Sequence, residues 1–298
     1  MAKKKRRRKR RPLWQDILFL LGFFVGAVVY LYPDISDSWN YYRDQQLIAS
    51  YSEAVEAMDP ETFDKEWADA RAYNEQHTVN VIADAFEDED YILTHPYDTL
   101  LNPAGNMVMG YIDIPKINIQ LSIYHGVGKE ALEKGVGHIE GTSLPIGGLN
   151  THAVLSAHRG LPSALLFTDL DQLGEGDRFF ITVLNEKLAY EVDQINVVLP
   201  DDPEVQNLIA LEEDKDLITL ITCTPYGVNT HRLLVRGHRV AMEEAAETTE
   251  ITDDNSAESA EAYRAELNRI RLIKIVGMGG FFILVFLIWI ITRLTRKR

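Results

Sequence analysis

Hydrophobic positions divide the chain into segments of different period. Leu13 to Tyr32 is an almost unbroken apolar run, with Gln15 and Asp16 near its edge, and Ile275 to Thr292 is a second. Each is long enough to cross a bilayer as a helix. After the first run, Leu47, Tyr51, Ala54, Val55 and Met58 recur at helical spacing, as do Phe63, Trp67, Ala70 and Tyr73. Asp59 and Pro60 between them have the character of an N-cap and a first helical position, so two helices joined by a tight turn are expected. From Gly110 the period becomes two, most cleanly at Ile117, Ile119, Leu121 and Ile123, which alternate with Asn118, Gln120 and Ser122. That is the pattern of a half-buried strand.

Further short strands are expected at Ala153 to Ala157, Arg178 to Leu184, Leu188 to Val192, Ile195 to Val198, Leu217 to Cys223 and Leu233 to Arg236, with Gly and Pro between them. Many short strands and few long helical patterns point to a mainly β fold, an antiparallel sheet closed into a barrel. Residues 243–261 are acidic, rich in small polar residues and free of aromatics, which is the composition of a linker.

Charge refines this picture. The formal charge is −15, but Lys3 to Arg11 supplies nine positive charges and Arg293, Arg296, Lys297 and Arg298 four more; without these thirteen the remainder carries about −28. Phosphate would be repelled by that interior, which argues against a nucleic-acid partner. Basic clusters beside apolar runs mark the cytoplasmic side of a span, and Trp14 and Trp289 lie near the same borders. The expected topology is a cell-membrane protein with two spans, both termini cytoplasmic and residues of about 34 to 270 outside. A cleaved signal peptide is the competing reading of the first run, but no small-residue cleavage pattern follows Leu31, Tyr32 and Pro33.

The chain has one cysteine. In an extracytoplasmic domain a single cysteine is a buried hydrophobe, half of an intermolecular bridge or a reactive thiol. Cys223 ends a strongly apolar strand and precedes Thr224, Pro225, Tyr226 and Gly227, which stop a ladder, so its sulfur belongs at a sheet rim. Arg232 opens the next strand. A hairpin would set its guanidinium beside the sulfur and favour thiolate over thiol. His158 closes another short apolar strand and precedes Arg159 and Gly160. If the two strands are neighbours, its imidazole can serve as general acid and base to a cysteine nucleophile. His152 and His231 are competitors for that role.

Other patterns carry less. Glycines at 126, 128, 135, 137, 141, 147 and 148 lack any phosphate-binding pattern, and His125, His138 and His152 lack zinc spacing. Acidic clusters at Glu87 to Asp90 and Asp201 to Glu204 lack the calcium-loop pattern. No cofactor and no metal is expected.

Thr219 to Pro225 (Thr-Leu-Ile-Thr-Cys-Thr-Pro) with Arg232 downstream resembles the Thr-Leu-x-Thr-Cys signature of sortases. Asn150 to Gly160 resembles the segment carrying the sortase histidine, and Met109 to Ile117 is similar to that family's first barrel strand. The resemblance implies a sortase-like closed β-barrel and a cysteine transpeptidase with His158, Cys223 and Arg232 as catalytic residues. Cys223 would attack the Thr carbonyl of a Leu-Pro-x-Thr-Gly signal on a pilin or surface protein. An amine would then resolve the thioester. Two terminal spans and a helical extension resemble class C, the pilus-assembling sortases, which implies a pilin Lys as acceptor. The alternatives are a cell-wall-anchoring sortase using a peptidoglycan-precursor amine and a non-catalytic, membrane-tethered binding protein.

Class C sortases also carry a lid of Asp-Pro-aromatic type. Asp84 and Phe86 match it best, with Ala85 in place of Pro; His95, Pro96 and Tyr97 keep the Pro but lack the acid. The expected organisation is therefore a basic tail (1–12), a span (13–32), a helical extension with candidate lid (34–104), a catalytic barrel (105–241), an acidic linker (242–270), a second span (275–292) and a basic tail (293–298).

Overall fold

A computed structural model describes residues 13–76, 94, 96–242 and single positions between 273 and 289. Helix α1 (Leu13–Glu56) runs without a break through Pro33. The apolar run and the first half of the extension are thus one rod, at the cost of one backbone hydrogen bond at the proline. Helix α2 (Pro60–Gln76) follows a tight turn. Its cap is the expected one, with the Thr62 amide donating to Asp59 Oδ1 at 3.0 Å. Among the described residues, α1 is the one helix long and apolar enough to cross a membrane. The described positions from Ile273 to Trp289 are helical, and residues 243–272 lie outside the description.

Eight strands close into a barrel: β1 (Val108–Ile114), β2 (Ile119–His125), β3 (Val136–His138), β4 (Thr151–Ser156), β5 (Arg178–Val183), β6 (Glu186–Val198), β7 (Asp216–Thr224) and β8 (His231–Val240). Their order around the barrel is β1-β2-β3-β4-β7-β8-β6-β5. Short helices α3 (Lys129–Lys134) and α4 (Glu204–Leu208) sit in the connections before β3 and β7.

Three expectations from periodicity are corrected. The sheet is mixed, because β2–β3 and β4–β7 pair in parallel. Long connections at 126–135 and 157–215 carry the chain back to the same end, which strict antiparallel alternation does not require. Leu188–Val192 and Ile195–Val198 are one strand with a bulge between Val192 and Gln194 against β8. Ile117 is not in a strand: Pro115–Ile117 is a 3-10 turn, with Asn118 left-handed at φ 53°. Past it, Ser122 and Tyr124 are buried along with Ile123 because α1 covers the outer face of β2, so the period of two fades.

Inward-facing Ala153, Leu155, Ile218, Leu220, Leu233 and Val235 belong to the main core with Phe179 and Tyr190. Outward-facing Val154, Ile221, Leu234 and Val198 form a second cluster, capped by Ile209 and by Val205 and Leu208 of α4. Apolar side chains on both faces of β4, β7 and β8 explain why those strands read as continuous hydrophobic runs. Buried histidines tie the connections down. His125 reaches the carbonyls of Met107 and Leu100 at 3.0 and 2.6 Å, while His138 lies between the Tyr97 hydroxyl and the Ser143 carbonyl, each at 2.8 Å. Tyr97, from the alternative lid stretch, is fully buried in this cluster.

Candidate active site

The rim where β4, β7 and β8 end brings the three candidate residues together. Cys223 is the register partner of Arg232 in the β7–β8 hairpin. On the other side of β7, the parallel register with β4 pairs Ser156 with Ile221, and the Ala157 amide continues the ladder by donating to the Ile221 carbonyl at 3.1 Å. The Cys223 backbone therefore lies one strand spacing, about 4.8 Å, from that of Arg232, and β4 runs at the same spacing on its other side up to the residues before His158.

Alternation places the side chains of Cys223 and Arg232 on one face. Cys223 shares the outward face of Ile221 and Arg232 that of Leu234, whereas Ala157, the residue before His158, is buried in the main core. Cys223 and Arg232 are each about 8% exposed, and Cys223 is in no disulfide. The Arg232 guanidinium contacts the carbonyls of Asn229 and His231 at 3.4 and 3.3 Å, which holds it across the end of the hairpin. Below the rim, Thr222 turns inward and donates from Oγ1 to the Ala157 carbonyl at 2.8 Å, stapling the cysteine strand to the histidine strand.

The competing histidines are elsewhere. His152 pairs with Leu217, six residues back along β7 and so about 20 Å from Cys223. Both its ring nitrogens are engaged, with the Ala210 carbonyl at 2.8 Å and Thr219 Oγ1 at 2.7 Å. His231 pairs with Thr224 and points to the opposite face from Arg232. Asp84 and Phe86 of the candidate lid lie outside the described residues.

Burial lowers the pKa of His158 below its ordinary value, and the Glu133 carboxylate of α3 opposes this. The imidazole is thereby biased toward its neutral form, ready to receive a proton. Arg159 is a residue that sequence reasoning passed over. Its guanidinium donates to Thr224 Oγ1 at 3.2 Å, pairs with Asp171 and lies 6.0 Å from the centre of the Tyr226 ring. It thus bridges the segment after His158 to the segment after Cys223. Its place directly after the histidine was the available signal. Glu133 had none, because only the packing of α3 brings it near His158.

Comparisons with known proteins fit this geometry. Residues 112–240 match the sortase domain family. The solved structure of sortase C-1 from Actinomyces oris is similar with a TM-score of 0.57 and 45% identity, covering 61% of this chain and 99% of that one. The pilus-related sortase C of Group B Streptococcus gives 0.58 and 39%, covering 65% and 96%. Sortase D of Bacillus subtilis is 32% identical over 141 residues, 46% of this chain and 67% of the relative.

Proposed function

The chain belongs to the sortase family of cysteine transpeptidases, and from that membership we propose that it polymerises pilins from the outer surface of the membrane, with Cys223, His158 and Arg232 as its catalytic residues. The observation that carries this reading is the register: Cys223 has Arg232 opposite it on β8, and β4, which leads into His158, runs parallel beside the cysteine strand. The pilin assignment leans on the similarity to a pilus-related sortase C.

In the proposed reaction, a Leu-Pro-x-Thr-Gly segment reaches the rim where β4 and β7 end, beyond the part of their outward face that α4 covers. The Cys223 sulfur attacks the Thr carbonyl carbon as its proton passes to His158. When the Thr–Gly bond breaks, the imidazolium gives that proton to the leaving Gly amine, and a thioester remains. Arg232 donates to the carbonyl oxygen as negative charge gathers there, a stabilisation that commonly dominates acyl transfer. A pilin Lys amine then attacks the thioester, His158 takes its proton, and the sulfur leaves. Asp84 and Phe86 enter as a lid on the strength of resemblance; as a lid they would slow thiol alkylation, so Asp84→Ala and Phe86→Ala would each speed it.

Intact-mass spectrometry with a Leu-Pro-x-Thr-Gly peptide tests the proposal. Wild-type protein should gain the mass of the acyl fragment and Cys223→Ala should not. An adduct in Cys223→Ala, or none in wild type and both lid variants while circular dichroism reports a folded domain, would reject it.

A further inference from the structure

The helix that begins as the apolar run is also the helix on which the barrel sits, and its contacts fix which end of the barrel faces the membrane. Lowest on α1, the Leu165 amide donates to Asp37 Oδ1 at 3.1 Å and Asn40 Nδ2 donates to the Ser163 carbonyl at 2.7 Å. Higher up, Gln45 meets Gln120 at 3.1 Å. Higher still, the Tyr51 hydroxyl donates to the Met109 carbonyl at 2.9 Å and accepts from the Leu184 amide at 2.7 Å. At about 1.5 Å per residue, Asp37 stands roughly 8 Å beyond Tyr32, Asn40 about 12 Å and Tyr51 about 28 Å.

The low contacts belong to the catalytic rim. Loop 160–168 returns directly to His158, because the Phe167 amide donates to the His158 carbonyl at 3.1 Å. The Tyr226 ring of the β7–β8 loop packs on Gly160, where an added Cβ would lie 3.1 Å from the ring. A headgroup layer is about 5 to 8 Å thick on each side of the hydrocarbon. The rim is therefore held at the outer edge of that layer.

Exposed apolar side chains collect at this same end. Leu165 is 40% exposed, Leu199 53%, Tyr226 61% and Val228 64%, on three separate segments that border the rim. Scattered single apolar residues are ordinary, but a group drawn from three loops at one pole marks an interaction surface. Nearby on α1, Ile35, Trp39, Tyr41 and Tyr42 are also half or more exposed, with the aromatic character of a membrane interface.

We infer that the catalytic rim is itself a membrane-contact surface, with Leu165, Leu199, Tyr226 and Val228 seated in the lipid headgroup zone. The inference rests on the reading of α1 as a membrane anchor. Its consequence is that an acyl donor is met at the bilayer surface, so a signal presented within about 10 Å of lipid is favoured over the same signal free in solution.

The test uses the full chain with Cys223→Ser, which frees the sequence of its one native thiol. Single cysteines at Val228, Leu149 and Val29 carry an environment-sensitive fluorophore in phosphatidylcholine nanodiscs, with and without shallow nitroxide lipid. Leu149 is equally exposed at the barrel's far end, and Val29 lies in the apolar run. Quenching at Val228 should exceed that at Leu149 several-fold. Equal quenching at the two, with Val29 strongly quenched, would overturn the membrane-contact surface while leaving the anchor intact. An unquenched Val29 would overturn the anchor, and the inference with it. Protection of Val228 by a soluble Leu-Pro-x-Thr-Gly peptide without lipid would assign the patch to the peptide groove and likewise overturn the inference.

Discussion

Asp44 couples the docking of α1 to pH. It is 2% exposed on the face of α1 that covers β2. Its carboxylate accepts from the Ser122 amide at 3.2 and 3.3 Å and from Ser122 Oγ at 2.6 Å. Burial raises its pKa from 3.8 to about 6, against the Ser122 hydrogen bonds and the Arg43 charge. The folded chain then binds this proton more tightly than the unfolded chain does. The stabilisation is fully present below pH 3.8 and is lost as pH rises through about 6. At 1.36 kcal/mol per pH unit the change amounts to about 3 kcal/mol, a penalty carried in full at pH 7.

Asp44→Asn keeps the shape, accepts from the Ser122 amide and removes the charge. It should exceed the native chain in stability by about 2 to 3 kcal/mol at pH 7 and lie within about 1 kcal/mol of it at pH 4. Urea unfolding of residues 34–242, followed by circular dichroism between pH 4 and 7.5, measures this. A variant that gains nothing at pH 7, or whose difference from the native chain is constant across the range, refutes the reasoning. Asp44→Ala at pH 4 should instead lose about 1 to 3 kcal/mol, because it strands the Ser122 groups.

Other consequences are as direct. The His158 imidazole should titrate below its ordinary 6.5 by NMR, and Glu133→Gln should lower it further, since the carboxylate supports the charged form; a midpoint at or above 6.5 contradicts the burial argument. Because the folded state holds this proton more weakly than the unfolded state, His158 also makes stability fall as pH drops below 6.5. Tyr51→Phe leaves the Met109 carbonyl and the Leu184 amide without their shared hydroxyl and should cost about 1 to 3 kcal/mol in urea unfolding. Gly160→Ala, at φ 75° with the Tyr226 ring against it, should cost about 1 to 2 kcal/mol, visible as a lower Tm; an unchanged Tm would show that the segment after His158 relaxes freely.

Local chemistry made much of this protein legible. The run from Leu13, the helical spacing from Leu47 to Tyr73, the Asp59 cap and most strand positions depend on near neighbours in sequence, and there pattern and structure agree. Candidate residues His158, Cys223 and Arg232 stood out because each sits where an apolar strand meets residues that stop or start a ladder.

Pairing was not legible, because nothing local distinguishes a parallel neighbour from an antiparallel one. β4 and β7 pair in parallel only because the segment from Ala157 to Lys215 crosses the barrel and returns, and that pairing brings the end of β4, which leads into His158, beside the strand that ends at Cys223 and Thr224. The fading alternation in β2 has a similar origin: α1, more than sixty residues earlier, covers Ser122 with Asp44. Arg159 and Glu133 acquire their places by the site from contacts with Thr224, Asp171 and His158 that no spacing encodes. Periodicity reports which face of an element is apolar. What covers that face, and which strand lies beside it, is decided by long-range packing, in which distant segments compete to bury the same surface.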